Sequence, residues 1–171
     1  MNATIIEEKG SIRTSGADCN DSSLGLDQVS QVVSFRLGDS EYGVNILHVQ
    51  EIILIDKITR IPHVPNHVRG LINLRGHVIP VIDLRLRLGQ ASSERTDESR
   101  IVVFNTQRRT VGFMVDAVSE VLRVERSQIE PAPNGIQNTS RRFVLGLAKL
   151  GSKMLILLDI ERMIQSETHG G

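Results

Sequence analysis

The side chains in this chain with the chemistry to bind a metal or move a proton are its histidines, its acidic residues and one cysteine. Their spacing serves neither task. His63 and His67 lie four apart, the interval that puts two imidazoles on one helix face, but Pro62 and Pro65 forbid a helix there. They read as loop residues, and no metal site is expected. His48 and His77 stand alone, and the chain has no Gly-x-Ser-x-Gly turn, no phosphate-cradling Gly-rich loop and no Cys-His pairing. Asp83 and Asp159 each close an apolar run ahead of a short helix-like stretch, Leu84 to Leu88 and Ile160 to Ile164, and read as helix caps. The single cysteine, Cys19, lies in a polar tail, so no intramolecular disulfide or thiolate cluster can form and a reducing compartment fits. The expectation is a protein that is not an enzyme and uses no cofactor.

Elements able to position binding residues must therefore be sought instead. The 171 residues are 40% hydrophobic and 23% charged, ordinary globular composition. Twenty basic residues balance 20 acidic ones, and aromatics make up 3%, so neither the charge footprint nor the stacking platforms of a nucleic-acid binder are visible. The N-terminus lacks the basic and apolar regions of a signal peptide, and no apolar run is long enough to span a bilayer, which predicts a cytoplasmic protein with no membrane insertion. Ser, Gly, Asp and Asn dominate from Gly10 to Gln28, and the tail over 1–28 is predicted to be disordered. The polar run from Gly89 to Arg100 reads as a linker or long loop, and residues 166–171 as a frayed end.

Between these lie short strand patterns. Gln31 to Leu37 alternates, with Val33, Phe35 and Leu37 on one face and Ser34 and Arg36 on the other, and Glu41 to Ile46 returns after a Gly38-Asp39-Ser40 turn. Gly70 to Arg85 reads as a hairpin turning at Arg75-Gly76. Both units recur. The shift that lays Phe35 on Phe104 also pairs Gly43 with Gly112, Val49 with Val118 and Glu51 with Glu120. The shift that lays Gly70 on Gly146 pairs Leu71 with Leu147, Leu74 with Leu150 and Asp83 with Asp159. The chain thus predicts an all-β fold of two similar halves, about five strands each, too small to be stable apart and so sharing an interface.

Residues that repeat are explained by the fold, so residues that break the repeat are better candidates for function. Arg75 faces Gly151, and Pro80 faces Ile156. Pro80 predicts an edge or bulge position. A guanidinium at a hairpin tip is either a solvated turn residue, or it orders the junction of the halves or meets a partner carboxylate.

Val33 to Ile52, Asn73 to Gly76, Val78 to Arg85, Val115 to Leu122 and Met154 to Ile160, in that order, closely resemble the CheW family of chemotaxis coupling proteins. The resemblance runs from about Gln31 to Ile164. It implies two intertwined five-stranded SH3-like barrels over 29–165, the first roughly 29–88, the second roughly 100–160, with a C-terminal helix to 165. It implies a non-enzymatic adaptor joining the cytoplasmic tips of chemoreceptors to the histidine kinase CheA, at receptor arrays on the inner face of the membrane. Val49, Glu51, Gly70, Arg75, Ile101 and Gly112 are carried over as receptor-binding, and Ile58, Arg60, Ile61 and Arg69 as kinase-binding. Gly135 departs from relatives that carry a bulky apolar residue at the second kinase contact. An adaptor of a non-flagellar chemosensory system, for twitching motility or development, is the nearest alternative, and a nucleic-acid-binding barrel a remote one.

Overall fold

The structure, a computed structural model, describes residues 31–107, 109–133 and 141–169. The expected tail over 1–28, with Cys19, and Gly135 lie outside the described residues. The first half contributes β1 (Gln31–Leu37), β2 (Ser40–Asn45), β3 (Val49–Leu54), β4 (Val68–Leu74) and β5 (His77–Asp83), then the short α1 (Leu84–Arg87). The second contributes β6 (Arg100–Asn105), β7 (Thr110–Val115), β8 (Ala117–Arg123), β9 (Ile129–Glu130), β10 (Val144–Leu150) and β11 (Lys153–Leu158), then α2 (Ile160–His169). A 3-10 turn at Ile46–His48 joins β2 to β3, with the Asn45 side chain accepting from the Leu47 N–H at 3.0 Å. The fold is all-β, as expected.

The strands form a six-stranded sheet, β8-β1-β2-β11-β10-β9, and a five-stranded sheet, β3-β6-β7-β5-β4. Neither sheet belongs to one half. The hairpin β1–β2 of the first half lies between β8 and β11 of the second, and β6–β7 of the second lies between β3 and β5 of the first. The units expected over 29–88 and 100–160 thus follow one another in sequence while their strands interleave in both sheets. Burial supplies the reason. Ile101, Val102, Val103 and Phe104 of β6 are all fully buried, as are Val32 and Phe35 of β1. Strands apolar on both faces need cover on both, more than half of so short a chain can provide. The alternation expected in β1 is likewise overridden, since Ser34 is buried too, its hydroxyl donating to the Glu120 carbonyl at 3.0 Å beside a bulge.

Three cores result. The largest lies between the sheets and holds Phe35, Phe104, Phe113, Phe143, Leu84 and Met163 from both halves. Smaller ones are built within each sheet, Val32, Leu155 and Leu157 in one, Ile72, Val81 and Ile101 in the other.

Asp83 and Asp159 cap the helices as read, accepting from the Leu86 N–H at 3.3 Å and the Arg162 N–H at 3.0 Å. The helix boundary at 165 is corrected, because α2 continues through Ser166 and Glu167. Those two residues bind the Arg87 guanidinium of α1, and Glu167 also meets His67 Nε2 at 3.0 Å. Arg87 lies over the Phe143 ring, 4.7 Å from its centroid. A partly buried ion pair of this kind holds a last helical turn that the polar sequence alone would fray. Pro80 sits in a strand paired on both sides, yet the parallel ladder to β7 begins only at Val81, so at Pro80 the missing N–H leaves nothing unpaired on that flank.

Candidate functional site

Arg75 and Gly76 form the centre of the β4–β5 turn, both with positive φ (54° and 86°), and the Asn73 side chain accepts from the Gly76 N–H at 2.9 Å. That turn aims Arg75 back at β3. Its guanidinium donates to both oxygens of Glu51, at 2.7 and 3.4 Å, while remaining 73% exposed. The expectation that Arg75 orders the junction of the halves is replaced by a bond within the first half, and its outer face is free for a partner carboxylate. The second half reproduces this bond from a different position. Lys153 donates to Glu120, the repeat of Glu51, at 2.6 Å, which pushes the lysine pKa up, and also lies 3.7 Å from Glu41. Gly151, the counterpart of Arg75, keeps the positive φ without the cation.

The other carried-over receptor residues are placed differently. Val49 and Glu51 lie on β3, partly buried, opposite Phe104 and Val103. Ile101 and Gly112 are buried one against the other, so that a Cβ on Gly112 would meet Ile101 Cγ2 at 2.7 Å. Gly70 is also buried, and a Cβ there would lie 2.1 Å from the Thr59 carbonyl oxygen. These three shape the surface from beneath. Above Ile101 a cleft of about 430 Å³ opens, flanked by Leu54 and Val78, which are 67% and 63% exposed.

The kinase candidates come together. Thr59 exchanges two backbone hydrogen bonds with Leu71, both 2.8 Å, a bridge possible only because Gly70 has no side chain. Pinned there, Ile58, Arg60 and Ile61 line one cavity of about 400 Å³ with Arg69, Arg95 and Met114. Arg69 lies 3.5 Å from Asp83. Arg69 is the second residue of β4 and Arg75 follows the strand's end, six residues or about 20 Å further along. The two candidate surfaces thus occupy opposite ends of one hairpin.

One functional pair escaped the sequence reading. Arg85 of α1 donates to Asp116 through Nε at 2.9 Å and Nη2 at 2.5 Å, and the Gly38 N–H donates to the same carboxylate at 2.8 Å. Burial pushes the Asp116 carboxyl up, but the bonds from Arg85 and Gly38 outweigh it and hold the pKa below the usual carboxylate value. The bond to Asp116 raises that of Arg85. This pair joins α1 to the β7–β8 connection and ties the halves electrostatically, as Arg87 and Glu167 also do. A signal existed: the shift that exposes Arg75 as unpaired in the repeat also lays Arg85 on Glu161. Arg95 was missed because the 89–100 run read as a linker, although Ser92, Gln90 and Ala91 bond it to Asp83, Tyr42 and Arg85.

Among the described residues no group of three or more His, Cys, Asp or Glu side chains could hold a metal, and no helix is long and apolar enough to cross a membrane. Open clefts walled by arginines and aliphatic side chains, on a rigid two-sheet frame, define an adaptor, a β scaffold whose work is to present surfaces to other proteins. Residues 31–168 match the CheW-like domain family. The chain is 43% identical to the chemotaxis protein CheW of Klebsiella aerogenes over 133 residues, covering 78% of this chain and 80% of that one. It is 38% identical to CheW of Rhizobium meliloti, covering 80% and 88%. The crystal structure of the scaffolding protein TtCheW from Thermoanaerobacter tengcongensis matches with a TM-score of 0.70 at 38% identity, covering 75% of this chain and 88% of that one. The chain belongs to the CheW-like domain family, and its role is that of a chemotaxis adaptor or scaffold.

Proposed function

We propose that this adaptor couples the cytoplasmic tips of chemoreceptors to the histidine kinase CheA, at arrays on the inner face of the membrane, and that it performs no catalysis of its own. The observation that carries the reading is the hairpin β4–β5, with Arg75 exposed at its tip and the Arg60–Arg69 cavity at its root. A receptor tip engages the Arg75 end, where Val49 and Glu51 contribute directly and Gly70, Ile101 and Gly112 fix the backbone beneath. The kinase regulatory domain engages the root through Ile58, Arg60, Ile61 and Arg69. A hairpin laddered to β7 on one side is stiff enough to pass a displacement from tip to root.

The test is kinase autophosphorylation in a mixture of receptor-bearing membranes and CheA, with and without the protein, and with Arg75→Ala in parallel. Activation by the wild type and its loss in a folded Arg75→Ala variant is the expected result. Absence of both activation and co-sedimentation with cognate membranes or kinase would overturn the coupling.

A further inference from the structure

The cavity at the hairpin root has a chemistry that the contact residues alone do not specify. Three guanidiniums line it, from Arg60 in the β3–β4 loop, Arg69 in β4 and Arg95 in the segment between the halves. Among the described residues no carboxylate lies in its wall. Of the three, Arg69 is offset by Asp83 at 3.5 Å, while Arg60 and Arg95 have no ion-pair partner among the described residues. Apart from Asn66, the rest of the wall is apolar, with Ile58, Ile61 and Met114 among its residues.

The duplication shows that the fold does not require these charges. The Thr59–Leu71 bridge corresponds to the pairing of Glu130 with Leu147, which lays Ile58 on Ile129, Arg60 on Pro131 and Ile61 on Ala132. Arg69 falls on Leu145. The second half builds the same bridge over Gly146 with no arginine at either place. Arg60 and Arg69 thus stand in the first half alone, on a bridge that the second half builds without them.

We infer that this cavity is a receptor for a carboxylate, presented by an acidic side chain of the kinase beside an apolar one, with Arg60 and Arg95 gripping the anion and Ile58, Ile61 and Met114 taking the apolar neighbour. The inference rests on the coupling reading and gives its kinase contact a charge. Two unpartnered guanidiniums from separate segments can clamp one carboxylate from both sides, and an aliphatic floor lowers the local dielectric and strengthens the pair. Arg95 has a second role here, since it comes from the segment joining the halves and would draw that segment against the partner.

The experiment measures binding of the full chain to full-length CheA by calorimetry as salt rises from about 50 to 300 mM, for wild type, Arg60→Glu/Arg95→Glu and Arg60→Lys/Arg95→Lys, with receptor co-sedimentation alongside. The wild type should weaken with salt. Charge reversal should weaken binding by about tenfold or more and flatten the salt dependence, the lysine pair should recover part of the loss, and receptor co-sedimentation should be unchanged. Wild-type binding that the reversal leaves within about twofold would overturn the carboxylate site while leaving the coupling standing. No kinase binding by the wild type would overturn the coupling and the site together. Saturable binding of inorganic phosphate to the same arginines, with kinase affinity untouched by reversal, would reassign the cavity to a small oxyanion and overturn the proposal.

Discussion

Arg75 and Lys153 are two residues out of register in the repeat, yet they make the same bond, each reaching back to the glutamate of its own half, Glu51 at 2.7 Å and Glu120 at 2.6 Å. Duplication preserved the ion pair, and only the position of the cation changed. What Arg75 adds is a strained seat at a turn and a solvent-facing guanidinium, which Lys153, outside the turn, does not have.

The strain and the charge at Arg75 act on different observables. Arg75→Gly relieves the positive φ and should hold or raise stability by up to about 1 kcal/mol, since the exposed ion pair it removes is worth less than that. The same variant should lose kinase activation in the reconstituted array. Thermal melts beside autophosphorylation check both halves of this expectation.

Asp116 sets the acid limb of stability. Its folded carboxyl titrates below its unfolded value, so the pair with Arg85 contributes stability above the unfolded pKa of about 4 and loses it as pH falls through the folded value. Asp116→Asn should cost about 1–3 kcal/mol near pH 7, with a shallower acid limb that converges on the wild type at the lowest pH. Urea titrations across pH 2.5–7, a range bracketing the carboxylate values, read the difference, and parallel curves would remove the role given to Asp116.

Two glycines of one hairpin should fail unequally. Gly70→Ala drives a methyl into the Thr59 carbonyl at 2.1 Å from a backbone at φ 145°, and should cost more than about 2 kcal/mol. Gly76→Ala meets nothing within 4 Å and should cost only its backbone strain, about 1 kcal/mol. Denaturant midpoints order the two, and hydrogen exchange at Thr59 and Leu71 would report loss of the bridge.

Ending the chain after Gln165 removes both partners of Arg87. A guanidinium only 11% exposed is then left without its carboxylate, and a loss of about 3 kcal/mol is expected, against roughly nothing for a chain ending after Glu167. Equal melting of the two truncations would mean the last turn of α2 is dispensable.

The hairpins, the caps at Asp83 and Asp159 and the duplication were legible because each depends on neighbours in sequence. Who pairs with whom across halves was not. Nothing in the alternation of β1 says that Val32 and Ser34 will also be buried, because their neighbours, Ala148, Leu155 and Leu157 about Val32 and Glu120 at Ser34, come from beyond the linker. Burial of Ile101 and Gly112 was hidden for the same reason. Arg85 was legible in principle, through its mismatch with Glu161, but Asp116 carries no local mark. The stretch 89–100, read as a linker or long loop, carries no helix or strand over 90–99 and is exposed over 91–98, but composition gave no sign that Gln90, Ala91 and Ser92 would tie it to Tyr42, Arg85 and Asp83.

The crossing of hairpins between sheets also decides what can be taken apart. Each sheet has its strands drawn from both sides of the 89–100 segment, so neither side can complete its hydrogen bonds alone, and melting should be a single event. Cut within that segment, the two fragments become complementary pieces of one knot of strands: each unstructured by itself, together able to reassemble a whole. Association would then be folding, and the covalent link between them a matter of concentration.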